Sequence, residues 1–334
     1  MPLLGLGYDV TKDRLSPPAP AGPAAARRNA RIGQNPVMTL AVVLGGGGVA
    51  GVAWEAGLVL GLQRAGIDLA LADVVVGTSA GSIVGSWLAS GASLEQLAAL
   101  AAAPAGGPGA AASRGPAAGP GAAGRRGPAA SAGLDRILAV MAPLFDPALD
   151  PAEARRQVGV AALAADAGSE ARHVERIAAL LPERQRWPGR RLLVTGVDAG
   201  TGKPAVWDGS SGVPLARAVA ASCAVPGLYP PVTVGGRRYM DGGVRSATNA
   251  DLAAGASTVI VLNVLAHLVP ADPLTAELAA LGAASTLVIS PDEAAAAAMG
   301  AQLMDPAVAA PALAAALAQA ASCADTVRAS WPGR

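Results

Sequence analysis

The sequence predicts an α/β fold, a three-layer α/β/α domain with a mostly parallel central sheet. Two apolar runs of strand length, Met38 to Leu44 and residues 72–79, each pass through glycine into a segment with helical spacing. Because this strand–helix order repeats, the strands are expected to lie parallel, with helices on both faces of the sheet. The length of 334 residues is sufficient to bury a substantial core.

The other elements follow in chain order. A helix with apolar spacing follows the first strand and ends near Gly66, a residue typical of helix C-termini. The alanine-rich stretch from Ala294 is interrupted by Asp305 and two prolines, so packed helices are expected there rather than a membrane span. Between Gly66 and Ala294, after the second strand and its helix, the patterns predict these elements: helices in 133–181, two strands in 190–209, a helix in 213–227, two short strands in 229–243 and a buried strand in 256–267.

Two low-complexity stretches interrupt this order. Residues 1–37 mix Pro, Ala, Arg and Gly without a period and are predicted to form a disordered N-terminal tail. Residues 38–334 are predicted to form one domain with a low-complexity insertion at 102–133. That insertion has arginines but no acidic residue, so a basic flap that touches an anionic lipid surface is the alternative to disorder.

Composition and charge exclude several classes of protein. The formal net charge is +1 and aromatic residues make up 3% of the chain, so no nucleic-acid partner is expected. The two cysteines, Cys223 and Cys323, fit neither a disulfide framework nor a metal site. The N-terminal residues lack the basic start and apolar core of a signal peptide, which favours a cytoplasmic location.

The glycine-rich run after the first strand has two interpretations. Gly46 to Gly51 fit the G-x-G-x-x-G pattern of dinucleotide-binding proteins, which would make the protein an oxidoreductase. That fold needs an acidic residue at the end of the next strand, and here the strand ends in Gly-Thr-Ser. The favoured interpretation is an oxyanion loop, because glycines let main-chain N–H groups converge at the start of a helix.

Ser79 lies in a G-x-S-x-G pattern between the second strand and the second helix. Gly77 and Gly81 flank it at the spacing of a nucleophile elbow. In such a turn there is no room for side chains two positions either side of the serine, and the hydroxyl is exposed at the carboxyl edge of the sheet. The alternative is that Ser79 caps the helix that begins at Ala80.

A serine nucleophile needs a base, and three side chains are candidates. His173 lies among charged residues in a helical pattern and is interpreted as part of a solvated helix face. His267 would complete a Ser–Asp–His order, although a surface loop histidine is the favoured interpretation. Asp241 ends a strand and precedes Gly242 and Gly243, which suits either a base within reach of the serine or a simple turn aspartate.

Four motifs in order resemble those of the patatin-like phospholipase family. They span roughly Leu40 to Leu265 and read VVLGGGGVAG, GTSAGS, AVAASCAVPGLYPPV and YMDGG. The resemblance implies a Ser–Asp dyad in which Ser79 is the nucleophile and Asp241 the base. It also implies oxyanion donors from the backbone of Gly46, Gly47 and Gly48.

The resemblance further implies the activity, a phospholipase A-like lipid acyl hydrolase. Its substrate would be a lipid or long-chain ester met at a membrane surface, and the mechanism needs no metal or cofactor. One departure is Ala50, where the family usually has Arg or Lys. This residue favours the alternative of a catalytically weak lipid-binding or regulatory protein. The sequence assigns no role to Trp54 or Asn249 and predicts no oligomeric state.

Overall fold

The computed structural model describes residues 39–103, 129–268, 272–283 and 285–331. The predicted tail at 1–37 and most of the predicted insertion lie outside these residues. The C-terminal end of the insertion does not: a helix already begins at Ala129, four residues before the predicted boundary. Alanine is the strongest helix former, so an alanine-rich sequence can be helical even where its complexity is low.

A mixed sheet of eight strands forms the centre of the described domain. The strands are β1 Leu40–Leu44, β2 Val74–Gly77, β3 Arg191–Asp198, β4 Pro204–Trp207, β5 Val232–Val234, β6 Arg237–Asp241, β7 Thr258–Leu262 and β8 Ser285–Ile289. Their order in the sheet is β5-β6-β3-β2-β1-β7-β8, and β4 also pairs with β3. Strands β3, β2, β1, β7 and β8 are mutually parallel, whereas β4 and β6 run antiparallel to β3.

Helices cover both faces of this sheet, which confirms the predicted three-layer α/β/α architecture. They are α1 Gly48–Arg64, α2 Ala80–Ser90, α3 Leu94–Ala101, α4 Ala129–Met141, α5 Pro151–Ala164, α6 Glu170–Ala178, α7 Leu215–Ser222, α8 Asp272–Leu281, α9 Glu293–Met299 and α10 Ala309–Ser330. Helices α3 and α8 and strand β8 have no counterpart in the sequence prediction. Short 3-10 turns occur at Leu69–Leu71, Ala142–Phe145, Gly242–Val244, Ala250–Ala253 and Pro306–Val308.

Strand β1 shows how the layers are divided. Leu40, Val42 and Leu44 pack into the larger core with α1, α2, α7 and α10, whereas Ala41 and Val43 face the second core with α8. This alternation follows from the two-residue period of a strand. Because both faces are covered, the strand is apolar throughout, as expected of a parallel sheet.

Helix α10 lies along α1, the helix that follows the glycine-rich run. Residues Pro306–Ser330 are long and apolar enough to cross a membrane by length and composition, a criterion that core helices of soluble proteins also meet. Close packing with α1 depends on glycine. A Cβ added at Gly57 would lie 2.7 Å from the Leu313 carbonyl oxygen, and one at Gly61 would collide with the Cβ of Ala320.

We predict that Gly61→Ala destabilises the protein although alanine is the better helix former. The gain of about 1 kcal/mol in helix propensity is outweighed by overpacking of about 1–3 kcal/mol. The reciprocal variant Gly61→Ala/Ala320→Gly should return to within about 0.5 kcal/mol of wild type, since it only moves the methyl group across the interface. Urea unfolding of the four proteins of this cycle measures both effects. Greater stability than wild type in either single-substitution variant would contradict the packing argument.

Candidate active site

Ser79 lies in a sharp turn between β2 and α2. Its φ is 51° and its ψ is −114°, a left-handed conformation that is strained for a residue with a side chain. Such strain persists only where the surrounding structure enforces it, and it concentrates at functional sites. The Ser79 side chain makes no capping hydrogen bond to the helix. The geometry therefore does not favour the simple helix-cap interpretation.

The two flanking glycines are required by space. A Cβ at Gly77 would lie 2.6 Å from the Gly81 carbonyl oxygen and from the Cα of Ser82. A Cβ at Gly81 would collide with the main chain of Leu44 in β1. The turn is thus packed so closely against its own helix and the neighbouring strand that only glycine fits two positions before and after Ser79.

The end of α7 holds the main chain of Ser79 from the other side. The Ser79 N–H donates to Ser222 Oγ at 2.9 Å, and the Ser79 carbonyl oxygen accepts from Ser82 Oγ at 2.6 Å and from Cys223 Sγ at 3.3 Å. Burial raises the pKa of the Cys223 thiol, so this residue stays protonated and serves as a small buried donor. Ser222 was not predicted as a site residue, because its only signal in the sequence is a hydroxyl within the third motif.

Asp241 is brought beside Ser79 by the sheet. It ends β6 and pairs with Gly196 of β3, the strand next to β2, while its N–H donates to the Ala224 carbonyl oxygen at 3.1 Å. The segment that follows α7 therefore contacts both residues. The Ser79 side chain lies close enough to the Asp241 carboxylate to oppose the rise in its pKa, but the two side chains form no hydrogen bond at full geometry.

The two oxygens of the Asp241 carboxylate have different surroundings. Oδ1 accepts from the Gly243 N–H at 2.7 Å, which is the turn contact expected of an Asp-Gly pair. Oδ2 is buried and has no partner at full hydrogen-bond geometry among the described residues, a looseness that is common at catalytic contacts without substrate. Burial is the dominant influence and raises the pKa of Asp241 to about 6, against the opposing effects of the nearby Ser79 hydroxyl and the Gly243 N–H.

The glycine loop lies against the serine. A Cβ at Gly46 would be 3.5 Å from the Ser79 Cβ. The structure changes one expectation here, because the Gly46 N–H donates to the Ala247 carbonyl oxygen at 2.8 Å and is therefore already engaged. Among the described residues, the N–H groups of Gly47 and Gly48 have no acceptor. Gly48, at φ 60°, begins α1, so these amides lie at the positive end of a 17-residue helix.

Ala50 is fully buried in the position where the family usually has a cation. Its N–H donates to the Leu303 carbonyl oxygen at 3.0 Å, and Met304 Sδ would lie 2.5 Å from a Cβ at Gly48. The segment before α10 thus packs onto the glycine loop. A long charged side chain at position 50 has no space in this arrangement, so a main-chain contact from residue 303 holds the loop instead.

An apolar pocket opens beside Ser79. Its wall includes Val49, Val52, Ile83, Leu100, Ile177 and Tyr229. Pockets with an apolar wall and a few convergent polar groups are typical ligand sites. The polar groups here are the hydroxyl of Ser79 and the amides at the start of α1, which suit acyl chemistry on an apolar substrate. Within the described ranges, no group of three or more His, Cys, Asp or Glu residues could hold a metal ion.

The prediction that His173 lies on a solvated helix face is wrong. His173 is buried: its Nε2 donates to the Ala220 carbonyl oxygen at 2.9 Å, its Nδ1 accepts from Arg176 at 2.9 Å, and its ring stacks on Tyr229. Because arginine can only donate, the ring is neutral with its proton on Nε2. Burial lowers the pKa of His173 to about 4. Of its charged neighbours, Arg172 and Glu175 are exposed, whereas the histidine shares the inner face of α6 with Ile177, four residues later.

His267, the other candidate base, follows β7. Its Nε2 lies 3.4 Å from the Gly300 carbonyl oxygen, and none of its contacts among the described residues reaches Ser79 or Asp241. The structure therefore brings together the serine and the aspartate, but not the serine and either histidine.

Comparisons with known proteins give a match to one family model and similarities to several solved structures. The model of the family described as patatin-like phospholipase matches residues 42–254. The crystal structure of VipD from Legionella pneumophila is similar with a TM-score of 0.35 and 15% identity, over 68% of this chain and 50% of that one. The type III effector protein ExoU is similar with a TM-score of 0.33 and 18% identity, over 85% of this chain and 53% of that one.

This chain spans about half the length of each of those two proteins. No curated protein matches it by sequence. The family match spans well over half of the chain and includes both Ser79 and Asp241. The protein therefore belongs to the patatin-like phospholipase family.

Proposed function

We propose that the protein is a lipid acyl hydrolase that cleaves carboxylic esters with a Ser79–Asp241 dyad. The observation that carries the proposal is the placement of Ser79, in its strained turn after β2, beside the buried Asp241 at the end of β6, with β3 pairing to both strands. The strained turn, the amides of Gly47 and Gly48 and the apolar pocket support it.

In the first half of the reaction, Asp241 accepts the proton of the Ser79 hydroxyl while Oγ attacks the ester carbonyl carbon. The carbonyl π electrons move to oxygen, and the N–H groups of Gly47 and Gly48 stabilise that oxyanion. When the intermediate collapses, the bond to the alcohol oxygen breaks. The alcohol leaves with the proton from Asp241, and an acyl-serine remains.

In the second half, Asp241 removes a proton from a water molecule that attacks the acyl-serine. A second oxyanion forms in the same place. Its collapse breaks the bond to Ser79 Oγ, which takes the proton back from Asp241, and the carboxylic acid leaves. One base thus serves both halves, because it holds the proton only between attack and release.

The surroundings of Asp241 suit this use. A carboxylate of ordinary pKa is a weak base at neutral pH, whereas burial of Asp241 raises its pKa to about 6, near the operating pH. The group remains mostly ionised at pH 7 and gains basicity, since the apolar surroundings disfavour its charge.

The pocket supports an apolar acyl group as the part of the substrate that is recognised. Its wall is formed by aliphatic side chains and Tyr229, with Ser79 at one side. We propose a lipid or long-chain ester as substrate, met at a membrane surface by a cytoplasmic protein. A dinucleotide is disfavoured, because the Gly46 amide is engaged and Met304 packs against Gly48.

We predict that Ser79→Ala and Asp241→Asn each reduce kcat for ester hydrolysis by about 10³-fold or more, since each removes one of two groups that act as a unit. His267→Ala should retain most of the activity because it contacts neither residue. Hydrolysis of p-nitrophenyl esters of increasing chain length and of phosphatidylcholine vesicles measures these effects.

Two results would contradict the dyad. A collapse of activity in His267→Ala equal to that of Asp241→Asn would indicate a triad. Tight vesicle binding by a wild-type protein that hydrolyses no ester would select the lipid-binding alternative suggested by Ala50.

The pH dependence of kcat/KM gives an independent prediction. The base must be ionised in the free enzyme, so activity should fall about tenfold per pH unit below the pKa of Asp241, which is about 6. Initial rates from pH 4.5 to 8 on a soluble ester test this. An acidic limb that began near pH 4 would show that Asp241 is not tuned as proposed.

Stability should depend on pH for the same reason. Between the ordinary pKa of aspartate and about 6, the native carboxyl binds its proton more tightly than the unfolded one, so stability decreases as pH rises through this window. We therefore compare the free energies of unfolding of Asp241→Asn and wild type. The difference, variant minus wild type, should be larger above pH 6 than below pH 4 by up to about 3 kcal/mol. Urea unfolding of both proteins across this range measures the difference. A gap that does not vary with pH would contradict the raised pKa.

A further inference from the structure

The side-chain amide of Asn249 contacts two residues, each of which is adjacent in sequence to one member of the dyad. Its Nδ2 donates to Thr78 Oγ1 at 3.0 Å and lies 3.4 Å from the Gly242 carbonyl oxygen. Thr78 directly precedes Ser79, and Gly242 directly follows Asp241. A single planar group thus spans the serine turn and the aspartate turn, which are more than 160 residues apart in sequence.

The orientation of this amide is fixed by its other contacts. Asn249 Oδ1 accepts from Arg245 Nη1 at 2.7 Å, and because arginine cannot accept, this end must be the oxygen. Arg245 in turn donates twice to Asp251, at 2.9 Å and 2.6 Å. Nδ2 also donates to the Ser246 carbonyl oxygen at 2.8 Å. The amide is therefore clamped between an ion pair and the serine turn.

The Thr78 hydroxyl, which accepts the hydrogen bond from Asn249, makes three hydrogen bonds in all. It accepts from Asn249 Nδ2 and from Thr195 Oγ1, both at 3.0 Å, and donates to the Thr248 carbonyl oxygen at 3.3 Å. A hydroxyl offers one donor and two acceptor positions, and these three contacts use all of them. All of these groups are buried, and a lost partner could not be replaced by bulk water.

The backbone of Asn249 is also unusual. Its φ is 53°, in the left-handed region, where asparagine is tolerated better than most residues with a side chain. Ser79 is the one other non-glycine residue with positive φ among the described residues. In the described part of the chain, the two such conformations thus lie at Ser79 and at the residue that bonds the side chain of its neighbour Thr78.

We propose that Asn249 is a positioning residue that sets the distance between the Ser79 hydroxyl and the Asp241 carboxylate. The inference rests on the proposed function. The amide touches neither the substrate pocket nor the reacting atoms, and it acts by holding the peptides on which those atoms are carried. Hydrolysis requires near-attack geometry, so a shift of either turn lowers kcat and leaves the apolar pocket unchanged.

The test compares two substitutions that remove the donors differently. Asn249→Asp keeps the size of the side chain and the Arg245 contact but cannot donate, and Asn249→Gly removes the side chain and accepts the left-handed backbone. We expect both to lower kcat by about 10- to 100-fold, with KM within about threefold of wild type. The rate constant for labelling of Ser79 by a fluorophosphonate should fall in parallel, while the final labelled fraction stays complete.

Thr78→Val supplies the second measurement, because it removes the hydroxyl that Asn249 bonds. If the two residues act through this bond, Asn249→Gly/Thr78→Val loses no more activity than the more severe single variant. Gln319→Glu is the matched control. It converts another buried amide to a carboxylate, between Trp54 and Ser290, and should change the unfolding temperature but not kcat.

Three outcomes would overturn the inference. If wild type is active and both Asn249 variants keep kcat and the labelling rate within about twofold, Asn249 is structural only and the dyad stands. Asn249 is also structural only if the loss of kcat in these variants equals the loss in the fraction of protein that becomes labelled at Ser79. If wild type neither hydrolyses esters nor labels at Ser79, the proposed function fails, and the inference fails with it.

Discussion

The close approach of β1, β2 and α2 is the constraint on which the site depends. Position 81 touches the Leu44 main chain, and position 77 touches the start of α2, so the turn between them has one conformation. That conformation places Ser79 at a positive φ, with its N–H and carbonyl bonded by residues of α7 and α2. The strain is borne by packing across three elements, and the serine is therefore presented rigidly. Other parts of the site, from the glycine loop to the aspartate turn, are arranged around this fixed point.

Much of this arrangement could be predicted from sequence, because it is local. The apolar runs that form β1 and β2 pass directly into glycines. In the five-residue elbow, the glycines two positions before and after the serine are themselves the sign that no side chain fits there. The pairing of Ser79 with Asp241 came only from the order of four motifs, since no local signal relates residues so far apart. The roles assigned to both residues remain predictions, although the geometry brings them together.

The contacts that were missed are those that depend on tertiary structure. Ser222 and Asn249 reach Ser79 and Thr78 from 143 and 171 residues away, and nothing beside them in sequence distinguishes them from other buried polar residues. His173 was placed in solvent because its neighbours are charged, yet its partner Ile177 marks the inner face of the helix. Gly46 satisfies the motif, but only the fold shows that its amide is taken by Ala247.

The contact between Leu303 and Ala50 shows that the glycine loop is held by a residue that lies outside the four motifs. The family match ends at residue 254, but Gly45 donates to Leu262 in β7, and Ala50 donates to Leu303 beyond it. A fragment cut where the family similarity stops would retain each motif and lose the strand beside β1 together with the clasp on its glycines. The residues beyond 254 therefore support the glycine loop, although they carry none of the four motifs.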